Sequence, residues 1–139
     1  MVRRIAGLLV LAMLALVPAT EAVAAPAGGT TLDVRIVAAQ VELNADGTVS
    51  VPLRARCSTR LDAFEVDVSV TQGGTFGAVN LIGTPFPVCN GRWQRTTLTV
   101  SAEAGTFGPG PASVGVFLGA FDSVAGVDLA AEDTAAVRL

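Results

Sequence analysis

The sequence predicts an all-β protein, an immunoglobulin-like antiparallel β-sandwich of about seven strands preceded by a cleaved signal peptide. Apolar and polar residues alternate with a period of two in several segments after an apolar leader, which is typical of strands with one buried face. Turn signals rich in Gly, Asn and Pro separate these segments at intervals of about ten residues. No segment after the leader has helical spacing of apolar residues. A small closed barrel is the alternative architecture.

Residues 1–24 have the three parts of a secretory signal peptide. An arginine pair precedes an uncharged apolar run of 13 residues, Ile5–Val17, and Ala22–Ala24 forms a small-residue cleavage site. The run is shorter than the roughly 20 residues that span a bilayer, which favours cleavage over a membrane anchor. We therefore expect a secreted, extracellular protein with a flexible mature N-terminus at 25–31, one sandwich domain at 32–139 and no membrane span after cleavage.

Each strand is predicted from its own alternation. The most regular segments are Thr48–Cys57, Ala63–Gln72 and Pro111–Phe121, and weaker alternation predicts strands at Val34–Leu43, Gly77–Ile82, Trp93–Ala102 and Ala135–Leu139. Pro52 falls on the solvent side of its segment, which predicts an edge or bulged strand because proline has no N–H to donate. The letters LAAED, within Val127–Ala136, indicate one short helical turn.

Two arrangements of the second and third predicted strands fit the sequence. If these strands pair directly, Arg54 lies opposite Asp67 and Arg56 lies opposite Glu65, and both outward pairs join opposite charges. In an immunoglobulin-like sandwich the same strands lie in opposite sheets, and the charges face solvent on different sides. We favour the second arrangement because seven strands and the long connection to the second cysteine suit it.

Cys57 and Cys89 are the only cysteines, and we expect them to form a disulfide in an exported protein. The bond would close a loop of about 33 residues, which the chain-entropy relation values at roughly 3.5–4 kcal/mol. A free nucleophilic thiol or a metal ligand is the alternative, but partner residues for either role are lacking in the sequence.

The composition excludes most catalytic machinery. The chain has no His, Lys or Tyr, which removes histidine-based triads, imidazole metal sites and lysine Schiff bases. Glu65 and Asp67 share a strand face about 6–7 Å apart, but one Trp and six Phe are little material for a sugar-binding cleft. The acidic residues near the C-terminus lack the spacing of a calcium loop; they are Asp122, Asp128, Glu132 and Asp133. We expect no enzyme activity, cofactor or metal.

Charge argues against nucleic acid as a partner. After signal cleavage the chain has seven basic and 11 acidic residues, and every basic residue is arginine. An acidic protein without a basic cluster in its sequence is a poor candidate for binding nucleic acid or an anionic membrane.

The stretch TPFPVCNGRW, Thr84–Trp93, predicts a stapled bend. Two prolines stiffen the chain beside a cysteine, and Asn90-Gly91 is a turn signal before the next strand. A rigid exposed loop is also what a substrate-like protease inhibitor needs, because preorganisation lowers the cost of ordering. In that case Phe86 would be the specificity residue.

Aromatic residues in the solvent phase are the best indication of a binding surface. Phe117 and Phe121 lie opposite the inward set of their strand, and Trp93 is out of phase with the inward residues that follow it. Together with Phe86 they form the candidate recognition patch. The alternative is a strand buried on both faces, with Phe121 already in a loop.

Four short motifs carry a resemblance to a known group of proteins. They are ARC at Ala55–Cys57, VSVTQGG at Val68–Gly74, VCNG at Val88–Gly91 and FGPGPASV at Phe107–Val114. With these motifs, Thr48–Leu139 resembles an uncharacterised family of small secreted actinobacterial proteins. The motifs are turns and a staple, so the resemblance implies a sandwich with one disulfide and implies no activity.

We expect a non-enzymatic binding or cell-envelope-associated module whose partner is an unknown protein or envelope component. A small extracellular protease inhibitor and a carrier of an apolar small molecule are the alternatives. An inhibitor would expose Phe86 at a loop tip, whereas a carrier would show a deep apolar pocket.

Overall fold

The computed structural model describes residues 30–58, 61 and 63–139. The predicted signal peptide and residues 25–29 lie outside the described residues. The described residues contain eight strands and one short 3₁₀ turn, Ala38–Gln40. The strands are β1 (Leu32–Ile36), β2 (Glu42–Leu43), β3 (Val49–Cys57), β4 (Ala63–Gln72), β5 (Thr75–Ile82), β6 (Gln94–Val100), β7 (Pro111–Asp122) and β8 (Val127–Arg138).

The strands form two antiparallel four-stranded sheets, which confirms the predicted all-β sandwich. In sheet A, β3 is central: β6 pairs along one edge of β3, while β1 and β2 share the other edge. In sheet B the order is β5-β4-β7-β8. Since β3 and β4 belong to different sheets, the direct pairing of Arg54 with Asp67 and of Arg56 with Glu65 is not formed.

Two elements differ from the sequence expectation. The first predicted strand is divided by the 3₁₀ turn, which is why eight strands are present instead of seven. The LAAED stretch is wrong as a helical turn: it lies in β8, whose 12 residues pair with β7. Alanines favour helix in isolation, but β7 offers a complete ladder of partners and β8 packs its small residues inward, so tertiary pairing overrides propensity.

Pro52 is buried in a central strand, and the expectation of an exposed position on an edge strand was wrong. Its carbonyl accepts a hydrogen bond from the Val37 amide at 2.9 Å, so the proline nitrogen points toward the same edge of β3. At this point β1 has ended and the chain makes the 3₁₀ turn before β2. Pro52 therefore lacks its N–H at a position where no neighbouring strand offers a carbonyl group to pair with it.

The core lies between the inner faces of the two sheets. Its fully buried valine and leucine side chains come from β3, β4, β6 and β7 and are Val49, Val51, Leu53, Val66, Val68, Val70, Val100, Val114 and Leu118. The predicted inward phases of these strands are thus the observed ones. Because β-branched residues dominate, the core is stiff, and removing one such side chain costs about 2–5 kcal/mol.

The two sheets meet along two seams. At one seam Asp133, in the inward phase of β8, accepts a hydrogen bond from the Ile36 amide of β1 at 2.8 Å. At the other, Gly77 of β5 packs so closely that a Cβ atom would lie 2.2 Å from the Ser101 carbonyl oxygen. Beside it, the Glu103 amide donates to the Phe76 carbonyl at 2.9 Å. The seams join sheet edges that would otherwise be open.

The Gly-rich loop before β7 closes one end of the sandwich. Phe107 is 3% exposed and its amide donates to the Gly47 carbonyl at 3.1 Å. The Gln72 side chain holds the same loop: its Nε2 donates to the Gly108 carbonyl at 2.6 Å, and its Oε1 accepts from the Gly108 amide at 2.9 Å. The loop is therefore a lid on the core, as expected for a turn rather than for a phosphate-binding site.

The predicted disulfide between Cys57 and Cys89 is confirmed. Cys57 ends β3 in sheet A, and Cys89 lies in the connection from β5 of sheet B to β6 of sheet A. The Gly91 amide also donates to the Cys57 carbonyl at 2.8 Å. The staple therefore attaches the crossover between the sheets to the end of the central strand.

We expect the double substitution Cys57→Ala, Cys89→Ala to lower the free energy of unfolding by about 2–4 kcal/mol, because the unfolded chain regains the freedom of the closed loop. Urea denaturation monitored by far-UV circular dichroism measures the change. Reduction of the wild-type protein provides the matched comparison. An unchanged midpoint would mean that packing alone holds the crossover.

We expect Gly77→Ala to destabilise the protein by about 1–3 kcal/mol, because the new methyl group collides with the backbone at Ser101. Gly74→Ala is the matched control, since nothing lies within 4 Å of a Cβ atom at that position. Equal effects of the two substitutions in urea denaturation would contradict the tight approach of β5 to the end of β6.

Candidate functional site

Three arginines form a row across the outer face of sheet A. Arg35 of β1 is the register partner of Arg54 of β3, and Arg54 is the register partner of Arg95 of β6. All three side chains are exposed. Neighbouring strands are about 4.8 Å apart, and like charges placed directly opposite each other are destabilising. The register therefore places three like charges side by side on this surface.

A second row lies beside the first. Asp33 is the register partner of Arg56, and Arg56 Nε lies 2.6 Å from Asp33 Oδ2. Trp93, immediately before β6, extends this row and is 36% exposed. The guanidinium carbons of Arg56 and Arg54 lie 4.8 Å and 5.8 Å from the centre of its ring. These cation–π contacts hold the indole on the sheet surface.

We name this surface the arginine–tryptophan face; it consists of Arg35, Arg54, Arg56, Arg95 and Trp93. Among the described residues, two carboxylates form ion pairs with it: Asp33, and Asp133, whose Oδ1 lies 3.8 Å from Arg35 Nη1. Arg95 Nη2 donates to the neutral Gln40 side chain at 2.6 Å. Four guanidinium groups thus meet two carboxylates, and the face retains positive charge.

The arginine–tryptophan face is open and carries no nucleophile. A depression of about 320 Å³ lies between Trp93 and the C-terminal end of β1. Its lining residues are Arg35, Ile36, Val37, Arg54 and Trp93. Guanidinium groups bind carboxylate and phosphate groups with two parallel hydrogen bonds. The arrangement is chemically able to hold an anion.

Sequence reasoning missed this cluster. The arginines are far apart in the chain, so the sequence has no basic cluster. The cluster exists only on the folded surface, where strand pairing brings the arginines together. Each one occupies the solvent phase of its strand, within VRI, LRAR and WQR. That shared phase is the only sequence signal for the cluster, and register is needed to see that the rows coincide.

The outer face of sheet B has the opposite character. Phe117 lies between Asp67 of β4 and Glu132 of β8, and Phe121 lies opposite Asp128 of β8. The Phe117 ring covers Gly119, where a Cβ atom would approach the ring to 2.9 Å.

A groove of about 410 Å³ runs beside these rings; its outward-facing lining is Glu65, Ile82, Phe117, Gly119, Phe121, Asp128 and Ala130. Ile82 is 81% exposed and Phe121 is 40% exposed. We name this surface the phenylalanine groove. It combines apolar walls with carboxylates, so it suits a partner that has an apolar group beside positive charge.

The structure does not bring the predicted recognition patch together. Trp93 lies on the outer face of sheet A, whereas Phe117 and Phe121 lie on the outer face of sheet B. Phe86 lies in the β5–β6 connection and packs, partly buried, against the core. The four aromatics therefore belong to two opposite faces and one loop.

The TPFPVCNGRW segment is a bend fixed by its own contacts. Pro87 is fully buried. The Gln94 side chain accepts from the Val88 amide at 3.0 Å and donates to the Val88 carbonyl. The Arg92 amide donates to Asn90 Oδ1 at 2.9 Å. Val88 is 60% exposed, whereas Phe86 is half-buried.

The acidic residues considered at the sequence level are placed on strands. Asn80 Nδ2 lies 2.8 Å from Glu65 Oε1 and 3.4 Å from Asp67 Oδ2, and this amide bridges the two acids. Asp122 is buried, and its Oδ1 accepts from the amides of Val124 and Ala125 at 3.0 Å, which caps the β7–β8 turn. Within residues 30–58, 61 and 63–139, no three acidic or cysteine side chains converge as metal ligands do.

The described part of the chain contains no helix long and apolar enough to cross a membrane. Comparisons with protein-family models, with curated proteins and with solved structures give no match. Function is therefore inferred from the two faces themselves.

We expect Arg95→Glu to raise the free energy of unfolding by about 0.2–1 kcal/mol at low ionic strength, because it replaces repulsion opposite Arg54 by attraction. The gain should shrink near 1 M salt, where the screening length is about 3 Å. Arg138→Glu is the control, since Arg138 is the register partner of uncharged Pro111. A loss of stability in Arg95→Glu would mean that the row supports the fold.

Proposed function

We propose that the protein is an exported, non-enzymatic binding module that holds an anionic partner on the arginine–tryptophan face. The observation that carries this proposal is the row of three register-matched arginines, Arg35, Arg54 and Arg95. The row is unfavourable for folding alone. A partner that presents carboxylate or phosphate groups relieves that repulsion and binds each guanidinium fork.

Trp93 strengthens the proposal. Interface centres are enriched in tryptophan and arginine, which supply large contact area and directional hydrogen bonds. Here the two residue types adjoin on an exposed sheet, and contacts with Arg54 and Arg56 hold the indole in place. Little side-chain freedom is left to lose on binding, which favours affinity.

Export is supported by the leader and by the disulfide. Stable disulfides belong to oxidising compartments, and the staple between Cys57 and Cys89 fits the secreted location that the leader predicts. Retention at an anionic cell envelope is consistent with the charge of the face. The placement of β3 and β4 in opposite sheets supports the immunoglobulin-like arrangement that the sequence predicts.

The two alternative functions have weaker support. A substrate-like inhibitor presents its specificity residue at a loop tip, whereas Phe86 packs against the core. A carrier encloses its ligand, whereas the phenylalanine groove is open on the outer face of a sheet. A binding module needs only an exposed complementary surface.

Retention of the protein on immobilised polyphosphate tests the proposal. The chain is acidic, with a formal net charge of −3, so general electrostatics oppose binding to a polyanion. We expect retention at low salt, release as salt rises, and loss of retention in the Arg54→Gln, Arg95→Gln variant.

Arg138→Gln is the matched control, because it removes an exposed arginine from sheet B. Equal loss of retention in this control, or full retention of the double variant, would contradict a role for the arginine–tryptophan face. Duplex DNA on a parallel column tests the expectation that nucleic acid is not the partner.

A further inference from the structure

We infer that the anionic partner of the arginine–tryptophan face is the phenylalanine-groove face of a second copy of this chain. The copies associate head to tail, with sheet A of one against sheet B of the next. This inference rests on the proposed function, because it names the partner of the same site. It follows from charge and apolar groups that complement each other on opposite faces of one domain.

The two sheets carry opposite excesses of charge on their outer faces. Register places four carboxylates on the outer face of sheet B: Glu65, Asp67, Asp128 and Glu132. Among the described residues of that face, the only arginine is Arg138, at the far end of β8 and next to Pro111. The outer face of sheet A has four guanidinium groups beside the carboxylates of Asp33 and Glu42, so it keeps an excess of positive charge. Opposite excesses of charge on the two faces favour electrostatic association between copies.

The apolar groups complement each other as well. The arginine–tryptophan face offers one large exposed aromatic ring, Trp93, beside positive charge. The opposite face offers an apolar groove of about 410 Å³ with Glu65 and Asp128 in its lining. An indole in the groove contacts the Phe117 and Phe121 rings, and the flanking arginines meet the two carboxylates.

The expected assembly is open-ended. Each copy uses two different faces, so every added copy leaves one free face at each end of the chain of copies. Pairing through the edge of β8 is disfavoured, because the Asp133 side chain accepts a hydrogen bond from the Ile36 amide and this seam joins β8 to β1.

The contact is of moderate size. β4 has ten residues, and four strands about 4.8 Å apart give each face an area of roughly 600 Å². Standard stable interfaces bury about 800 Å² on each partner. We therefore expect reversible association with a Kd between about 1 µM and 1 mM, weakened strongly by salt.

Sedimentation velocity of the mature wild-type protein over a concentration series at low salt is the first measurement. We expect a weight-average sedimentation coefficient that rises continuously with concentration and returns to the monomer value near 1 M salt. A monomer throughout the range up to about 1 mM overturns the inference. Saturation at a dimer also overturns it, because a closed pair leaves no free face.

Two variants then test the pairing of unlike faces. Arg54→Gln, Arg95→Gln weakens the basic face, and Glu65→Gln, Asp128→Asn weakens the groove face. Each variant alone is expected to associate at least tenfold more weakly than the wild type. An equimolar mixture is expected to form a dimer and nothing larger, since only one intact face of each kind remains to pair.

The mixture also shows that both variants are folded, because each must supply its intact face. Glu103→Gln is the control for the groove variant; it removes an exposed carboxylate from the loop after β6. Unchanged self-association of the groove variant, or a mixture that stays monomeric, overturns the inference.

Polyphosphate retention separates this inference from the proposed function. The groove variant is expected to be retained like the wild type but to self-associate at least tenfold more weakly. Retention of the wild type without self-association overturns the inference alone and assigns the face to a foreign anionic partner. If the wild type is neither retained on polyphosphate nor self-associating, both proposals are wrong.

Discussion

The structure depends on the burial of one face of β3. Five residues at alternate positions of this strand are fully buried: Val49, Val51, Leu53, Ala55 and Cys57. Side chains of a strand alternate between faces, so this burial fixes where the residues between them point. A shift of one residue would expose the apolar set and bury arginines without partners, at a cost of many kcal/mol. The register of sheet A is therefore strongly specified.

The neighbours of β3 follow from that register. The buried residues of β1 and β6, Val34, Ile36 and Val100, share the inward phase with the buried face of β3, so the arginines in the other phase lie on the outer surface. Arg35, Arg54 and Arg95 consequently share a row, although repulsion opposes it. Stability from the core, with each large side chain contributing about 2–5 kcal/mol, exceeds the repulsion of about 0.2–1 kcal/mol per pair. The stability of the core is therefore large enough to tolerate repulsion between arginines on the surface.

The two outer faces differ because the sheets draw on different parts of the sequence. Most arginines in the solvent phase lie in segments of sheet A, and most Glu, Asp and Phe residues in that phase lie in segments of sheet B. The composition gives only the net charge, which is that of a mildly acidic chain. The sandwich distributes the charged residues over two surfaces of unlike charge, and both proposals for binding arise from that distribution.

By itself, the sequence determined the strands with clean alternation, their inward residues and the disulfide, because those features depend on local period and on the number of cysteines. It also indicated that β3 and β4 lie in different sheets. The tertiary structure decided the features that depend on partners. Pro52 fits a central strand because the neighbouring strand is interrupted beside it, and LAAED extends because β7 supplies a ladder.

The candidate faces divide in the same way. Sequence alone placed Trp93, Phe117 and Phe121 in the solvent phase, yet it could not assign them to one sheet or two, since a period of two says nothing about which strands are neighbours. The arginine row was invisible for the same reason: its members are separated by tens of residues and meet only through register. Alternation is a local property set by the backbone, whereas the composition of a surface is set by strand pairing.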